Sequence, residues 1–247
     1  MNILLVTDSY PPEIRSASHL MQELAERLQL TGNKVHVLTS YPQYNLSDGT
    51  DTDCLHEYSD ENGIEVLRVK TLPHHKVNFL VRGMAQLSMP YLLLRKVKKH
   101  IKDNIDAVLI YSPPITLARI GSFLKARYNA AFVLNVQDMF PQNAVDLGVL
   151  KNRWLIRFFE SIEKKAYAAA NQVIVHSKGN KHFLLTQKGI DEHKVHVVPN
   201  WVDVASYAQA EQTGKFRHKY GLKDKFVFLF AGVMGPSQGL DLVIEVA

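Results

Sequence analysis

The first 41 residues leave little choice of local fold. Ile3-Leu4-Leu5-Val6 is a short apolar run of the kind buried on both faces of a sheet. It stops at the polar, proline-bearing stretch Thr7-Asp8-Ser9-Tyr10-Pro11-Pro12. From Ser16, Leu20, Leu24 and Leu28 recur at helical spacing beside Met21 and Ala25, while Gln22, Glu23, Glu26 and Arg27 fill the other face. Gly32-Asn33 offers a left-handed stop, and Val35 to Thr39 reads as a second strand. The unit is βαβ, so the loop from Thr7 to Ser18 is expected to border a ligand crevice at the carboxyl ends of the strands.

That loop carries none of the three glycines of a dinucleotide fingerprint, which disfavours ordinary NAD binding. The helix start can still receive an anion through its free N–H groups, with Arg15, Ser16 and Ser18 adding a charge and hydroxyl donors. A plain capped helix start explains the same residues without a ligand.

The strand–helix alternation continues. Gly63 to Leu72 reads as a strand or hairpin arm, and Asp106 to Ile110 as a buried strand ending in Tyr111-Ser112-Pro113-Pro114. A helix is expected over 115–128, and a strand over 131–136 that runs into Gln137-Asp138-Met139-Phe140-Pro141. Lys151 to Ala170 reads as a long helix whose Trp154, Phe158 and Phe159 are expected in the core. Strands over 172–176 and 195–198 flank a helix over 178–187 closed by Gly189, and Pro199-Asn200-Trp201-Val202-Asp203 follows. This order argues for a parallel, doubly wound α/β sheet. His176, Ser177 and Asn200 then fall at the crevice rim, a cap or turn role being the alternative for Ser177.

Periodicity lapses over 204–212, the expected linker between a domain of residues 1–203 and the start of a second one over 213–247. In the latter, a helix over 216–220, an apolar strand over 226–231 and the glycine-rich turn containing Gly235 and Gly239 are expected before a last helix from Leu240.

Composition bounds the partners. With 46% hydrophobic and 21% charged residues the chain can bury a substantial core. A formal charge of +5 favours acidic partners, but no zinc-ligand spacing, RNP-like aromatic motif or helix-turn-helix pattern is present, so no nucleic-acid partner is expected. The lone Cys54 precludes an intramolecular disulfide and fits a reducing compartment. No leader is expected ahead of a strand that starts at once, and no apolar run approaches the roughly 20 residues of a spanning helix. Asp51-Thr52-Asp53 lies in a polar loop from Pro42 to Asn62 and reads as solvated rather than metal-binding. Between Lys76 and Lys102 stand Arg82, Arg95, Lys96, Lys98 and Lys99 with no acid, interleaved with apolar residues. Such a segment suits an anionic membrane surface, or an ordinary outer helix with a solvated basic face that Pro90 would break or kink.

The TDSYPPE turn after the first strand, PNWVD before the linker and FLFAGVMGPSQGL at the start of the second domain, taken in that order, resemble the retaining GT-B-fold glycosyltransferases of family 4 (group 1). PNWVD, in place of the commoner PNGVD, and VQDMFPQNAVDLG resemble the branch that builds bacterial capsule, O-antigen or colanic-acid sugars, including fucosamine-transferase-like proteins. The resemblance implies two Rossmann-like domains facing across a cleft. The acceptor is held by the first and the nucleotide diphosphate sugar mainly by the second, without a cofactor or required metal. Many relatives carry a glycine pair in the first loop, where this chain has Arg15-Ser16, and a histidine after the strand over 131–136, where it has Gln137-Asp138.

By that analogy Asp138 is the expected catalytic carboxylate, orienting an acceptor hydroxyl or taking its proton, with a turn-capping role as the alternative. Ser112, Gln137, His176 and Asn200 would line the acceptor side, and Arg15, Ser16, Gly235 and Gly239 the donor-phosphate side. The family's E-x7-E element and its Arg/Lys pair lie further into the second domain than Ala247, so activity of these residues alone is expected to be poor. The expected partners are a nucleotide sugar, a polyprenyl-diphosphate-linked saccharide, the anionic inner face of the cell membrane and the remainder of the C-terminal domain. A nucleotide-sugar epimerase of the same fold and a non-catalytic membrane-associated binding domain are the other readings.

Overall fold

Leu4, Leu5 and Val6 are fully buried because β1 (Asn2–Val6) runs through the interior of an eight-stranded sheet. The computed structural model describes residues 1–46, 50, 52, 54–74, 76–204, 214–232, 234–235 and 238–246. Asp51, Asp53 and the expected linker beyond Val204 lie outside them.

α1 (Ser16–Leu30) crosses from β1 to β2 (Lys34–Ser40), with Gly32 at φ 84° where the helix stops. β3 (Tyr58–Glu61) and β4 (Ile64–Val69) form a hairpin, after which α2 (Phe79–His100) leads to β5 (Ala107–Ser112). A 3-10 turn over Ile115–Leu117 opens α3 (Ala118–Tyr128), followed by β6 (Ala131–Val136), the short α4 (Gln142–Asp146) and α5 (Arg153–Ala169). β7 (Gln172–Val175), α6 (Lys178–Gln187) and β8 (Val195–Val197) complete the sheet. α7 (Lys215–Lys219) and α8 (Leu240–Val246) come after it.

The strand order is β3-β4-β2-β1-β5-β6-β7-β8, and only β3 is antiparallel to its neighbour. The carboxyl ends of the other strands therefore share one edge, as expected. One face buries Ile3, Leu5, Val35, Val37 and Val66 under Leu20, Met21 and Ala25 of α1, with Trp201 packing partly onto this cluster. The other buries Leu4, Val6, Val108, Ile110, Phe132 and Leu134 under α2, α3 and α5. At Gly121 a Cβ would stand 2.4 Å from the Phe132 ring, so glycine lets α3 settle close on β6.

Four expectations change. The polar loop ends earlier than Asn62, because Tyr58–Glu61 pairs with β4 across a two-residue turn in which Asn62 and Gly63 both have positive φ. Pro90 does not break α2. The Gln86 carbonyl, which loses the N–H of residue 90, accepts instead from Thr116 Oγ1 at 2.7 Å. Of the three α5 aromatics expected in the core only Phe159 is buried, while Trp154 is 78% exposed and Phe158 is 45% exposed. The stretch over 226–231 is not a strand. It has no strand partner among the described residues, and a strand exists only where a neighbour receives its backbone hydrogen bonds.

Candidate functional site

β1 lies between β2 and β5, and the chain leaves it in one direction early and returns to the other side later. That is the topological switch point at which open α/β sheets form a crevice. The loop from Thr7 to Arg15 fills its floor and is built from buried polar groups: Thr7, Asp8, Ser9 and Glu13 are each at most 5% exposed. Such burial demands partners. The Glu13 carboxylate accepts from Ser9 Oγ at 2.6 Å and from the N–H groups of Gln43 at 2.6 Å and Tyr44 at 3.1 Å. Ser9 Oγ also meets Ser18 Oγ, and Ser40 Oγ donates to the Asp8 carbonyl at 2.8 Å. Arg68, 1% exposed, donates to Glu61 and to the Pro11 carbonyl at 2.8 Å, tying the loop to β4.

Asp8 Oδ2 takes a hydrogen bond from Arg15 Nη1 at 3.2 Å, whereas its buried Oδ1 has no hydrogen-bond partner. Burial pushes the Asp8 carboxyl above its ordinary value against the opposing pull of Arg15 and His74. Tyr111 is pushed up to about 12, first by burial and then by the negative charges of Asp8 and Asp138. Those two carboxylates thus bear on one phenol at the mouth of the crevice.

The start of α1 differs from the capped alternative. Arg15 is extended and no side chain caps the helix, whose first turn holds no acid. Its N–H groups form a positive end beside the exposed Ser16. Ser18 points the other way in function, its hydroxyl being buried against Ser9.

Across the crevice, Asn200 Nδ2 donates to Gln137 Oε1 at 2.8 Å and Gln137 Nε2 to Asn135 Oδ1 at 2.9 Å, an amide chain joining the ends of β6 and β8. The Gln137 N–H donates to the Ser112 carbonyl at 2.9 Å. Ser112 itself is 1% exposed, so it supports the wall from beneath and Pro113 and Pro114 face the crevice in its place. Asp138 is exposed, and its carboxylate makes no hydrogen bond among the described residues, against a turn-capping role. It lines a pocket of about 250 Å³ with Arg82, Pro113, Pro114, Phe140 and Asn143. His176 follows β7 with its Nδ1 buried and without a hydrogen bond among the described residues, while Ser177 caps α6 by accepting from the Asn180 N–H at 3.1 Å. Gly239 adopts a left-handed φ of 58° in front of α8, and Gly235 lies in the exposed stretch before it. Among the described residues no cluster of three His, Cys, Asp or Glu side chains is placed to hold a metal ion. No helix there is long and apolar enough to cross a membrane.

Sequence reasoning passed over Glu13 and Arg68, and gave Asp8 only a place on the crevice edge. The acid in a strand-to-helix loop at the switch point, and an arginine flanked by Leu67 and Val69 in the strand IEVLRV, were the available signals.

A mostly parallel eight-stranded sheet with its polar groups gathered at one carboxyl edge is the architecture of a GT-B glycosyltransferase domain. The chain belongs to Glycosyltransferase Family 4, whose model matches residues 17–206. It is 28% identical to glycosyltransferase WbjE of Pseudomonas aeruginosa over 69% of the chain and 43% of that protein. It is 25% identical to WcaI of Escherichia coli K12, named as a colanic acid biosynthesis glycosyl transferase, over 100% of the chain and 62% of that protein. The chain therefore spans less than two thirds of either relative. Among solved structures, Anabaena HepE in complex with UDP and glucose superposes with a TM-score of 0.60 at 17% identity, covering 99% of this chain and 57% of HepE. Medicago truncatula UGT71G1 with UDP-glucose gives 0.52 at 9% identity, covering 83% of this chain and 52% of UGT71G1.

Proposed function

We propose that this chain forms the acceptor-side domain, residues 1–203, of a retaining glycosyltransferase of bacterial surface polysaccharide synthesis. Its donor is a nucleotide diphosphate sugar and its acceptor a polyprenyl-diphosphate-linked saccharide at the inner face of the cell membrane. The single observation that carries the reading is Asp138: an exposed carboxylate with no hydrogen bond among the described residues, just past the carboxyl end of β6 on the wall of a pocket it shares with Pro113 and Pro114 from the end of β5. An acceptor hydroxyl seated there gives up its proton as its oxygen bonds to the anomeric carbon, and the bond to the nucleotide diphosphate breaks with its electron pair. Asp138 orients that hydroxyl or takes the proton. The positive end of α1 with Ser16 meets donor phosphate, and Gly235 and Gly239 border the same side from the second domain. The UDP held by HepE and the UDP-glucose held by UGT71G1 support a nucleotide sugar as the donor class.

The test is transfer from labelled UDP- and GDP-sugars to lipid-linked saccharides by the protein purified from its own gene. Asp138→Asn is expected to lower kcat by about 100-fold or more with donor KM little changed. Transfer by Asp138→Asn at the wild-type rate would remove Asp138 from the chemistry.

A further inference from the structure

α2 and α5 flank the 3-10 turn over Ile115–Leu117 on one side of the sheet, each packing on that turn and on α3, and each turns an aromatic and basic face outward. In α2 the buried stripe is Ala85, Met89, Leu93 and Val97. Helical spacing puts Met84, Tyr91, Arg95 and Lys98 opposite it, with Met84 57% and Tyr91 55% exposed. In α5 the buried stripe is Phe159, Glu163, Ala166 and Tyr167, which leaves Trp154, Arg157, Phe158 and Lys165 outward. Exposed aromatics on both helices are a departure from the usual burial of such side chains and mark an interaction surface.

The charge on this face has one sign. Arg95, Lys98 and Lys99 of α2, Arg119 of α3, and Arg153, Arg157 and Lys165 of α5 have no carboxylate within 4 Å among the described residues. α2 and α3 contain no acid. Of the two in α5, Glu163 is buried and bonded to Lys188, and the exposed Glu160 borders the face, about 60° round the helix from Arg157 and about 120° from Trp154. Two of the cations sit over the exposed rings, Arg119 at 4.7 Å from the Tyr91 centroid and Arg157 at 5.9 Å from that of Trp154. Between the helices runs a groove of about 470 Å³, lined by Pro90, Ile162 and Ala166 together with Tyr91, Phe158, Arg119 and Lys165.

We propose that this face docks on an anionic phospholipid bilayer. Trp154 and Phe158 enter the headgroup region, the unpaired cations neutralise lipid phosphates, and the groove receives part of a lipid chain. Aromatic rings flanked by arginine and lysine match the interface between headgroup and hydrocarbon, and a surface whose cations lack protein partners complements an anionic plane. Lys96 is not part of it, because it bonds to Glu57 at 2.6 Å on the flank of α2. Ile115 and Thr116 border both the groove and the Asp138 pocket, so a docked molecule holds its lipid side next to the proposed acceptor site. The purpose given to docking rests on the proposed lipid-linked acceptor. The docking itself does not.

The test uses the protein from its own gene with phosphatidylcholine vesicles, with and without a third of phosphatidylglycerol. Binding is expected only with the anionic lipid, and removing charge through Lys98→Gln, Lys99→Gln or Arg157→Gln is expected to weaken it roughly fivefold per charge. High salt acts in the same direction. Lys96→Gln is expected to bind as wild type, which a general effect of charge on folding would not allow. In a Trp201→Phe background, brominated lipid quenches Trp154 fluorescence. Equal binding to neutral and anionic vesicles, an unquenched Trp154, or binding of single-stranded nucleic acid by this face in place of vesicles would each overturn the proposal. Vesicle binding without transfer to any lipid-linked acceptor would sink the proposed substrate and leave the docking surface standing, and transfer to a soluble acceptor analogue without vesicle binding would do the reverse.

Discussion

Arg68 shows how much of the crevice depends on one side chain that touches no ligand site directly. Its guanidinium is buried between Glu61 of β3, Ser59 Oγ at 3.2 Å and the Pro11 carbonyl at 2.8 Å, and so joins the edge hairpin to the first loop. Burial alone raises the Glu61 carboxyl, but hydrogen bonds from Arg68 and Ser59 outweigh it and hold the group below its ordinary value. A carboxyl depressed in the folded state contributes stability that is fully present above its unfolded value of about 4.5 and is lost as pH falls through the folded one. Arg68→Met is therefore expected to cost about 3 kcal/mol at neutral pH, where it leaves Glu61 and the Pro11 carbonyl unpaired. In chemical denaturation that difference should shrink below pH of about 4.5. A constant difference from neutral to acid pH would show that packing, not charge, sets the role of Arg68. Strand-end positions were legible in the sequence, as at Gln137 and Asp138, which directly follow β6. Glu13 and Arg68 were not, because their meaning lies in partners thirty or more residues away, Gln43 and Tyr44 to Glu13 and Pro11 to Arg68.

At the scale of the element, periodicity identified every parallel strand and the long helices, since each buries a run or stripe of apolar side chains that composition displays directly. β3 escaped because YSDE is a solvated edge strand, exposed on alternate residues and with no hydrophobic run, although the Asn62-Gly63 turn that fixes it is a hairpin signal. α4 escaped because five residues with none buried carry no pattern. Pro90 is the more instructive case. A proline inside a helix costs a hydrogen bond and forces the carbonyl four residues earlier to find another donor, and here Thr116 of the neighbouring 3-10 turn supplies it. Thr116→Val is expected to destabilise the protein by about 1 to 2 kcal/mol, since the Gln86 carbonyl then has neither donor. In a Pro90→Ala background the returned N–H bonds to Gln86, and the same substitution should cost well under 1 kcal/mol. Equal costs in the two backgrounds, measured by urea unfolding, would show that Thr116 acts through packing alone.

At the scale of the whole molecule, the sequence order of strands and helices implied a parallel sheet, but it could not say which strands are neighbours. That follows from the pairing of β1 with both β2 and β5, which is also what creates the crevice. Beyond the sheet the balance of the chain changes. Phe226 is 86% exposed, Phe228 87% and Leu229 85%, with the two phenyl rings 5.0 Å apart in a stretch whose backbone has no strand partner among the described residues. Full burial of such side chains stabilises by about 2 kcal/mol each, so these three represent about 6 kcal/mol of attraction available to any apolar surface. An extended apolar segment with unpaired backbone groups is also a template for pairing with a second copy of itself. A polypeptide of residues 1–247 is thus expected to self-associate at micromolar concentration, seen as a concentration-dependent mass in light scattering. Phe228→Lys should shift it toward monomer without changing the melting of the sheet domain. The family resemblance places the main grip on the donor diphosphate in the second domain, each charge-assisted contact there being worth about 1.5 to 3 kcal/mol. The same polypeptide should accordingly bind UDP- and GDP-sugars more weakly than micromolar in calorimetry and transfer no sugar. A monodisperse monomer that binds a nucleotide sugar at micromolar affinity would place the donor contacts on the crevice of residues 1–203 and overturn the division of labour between the two domains.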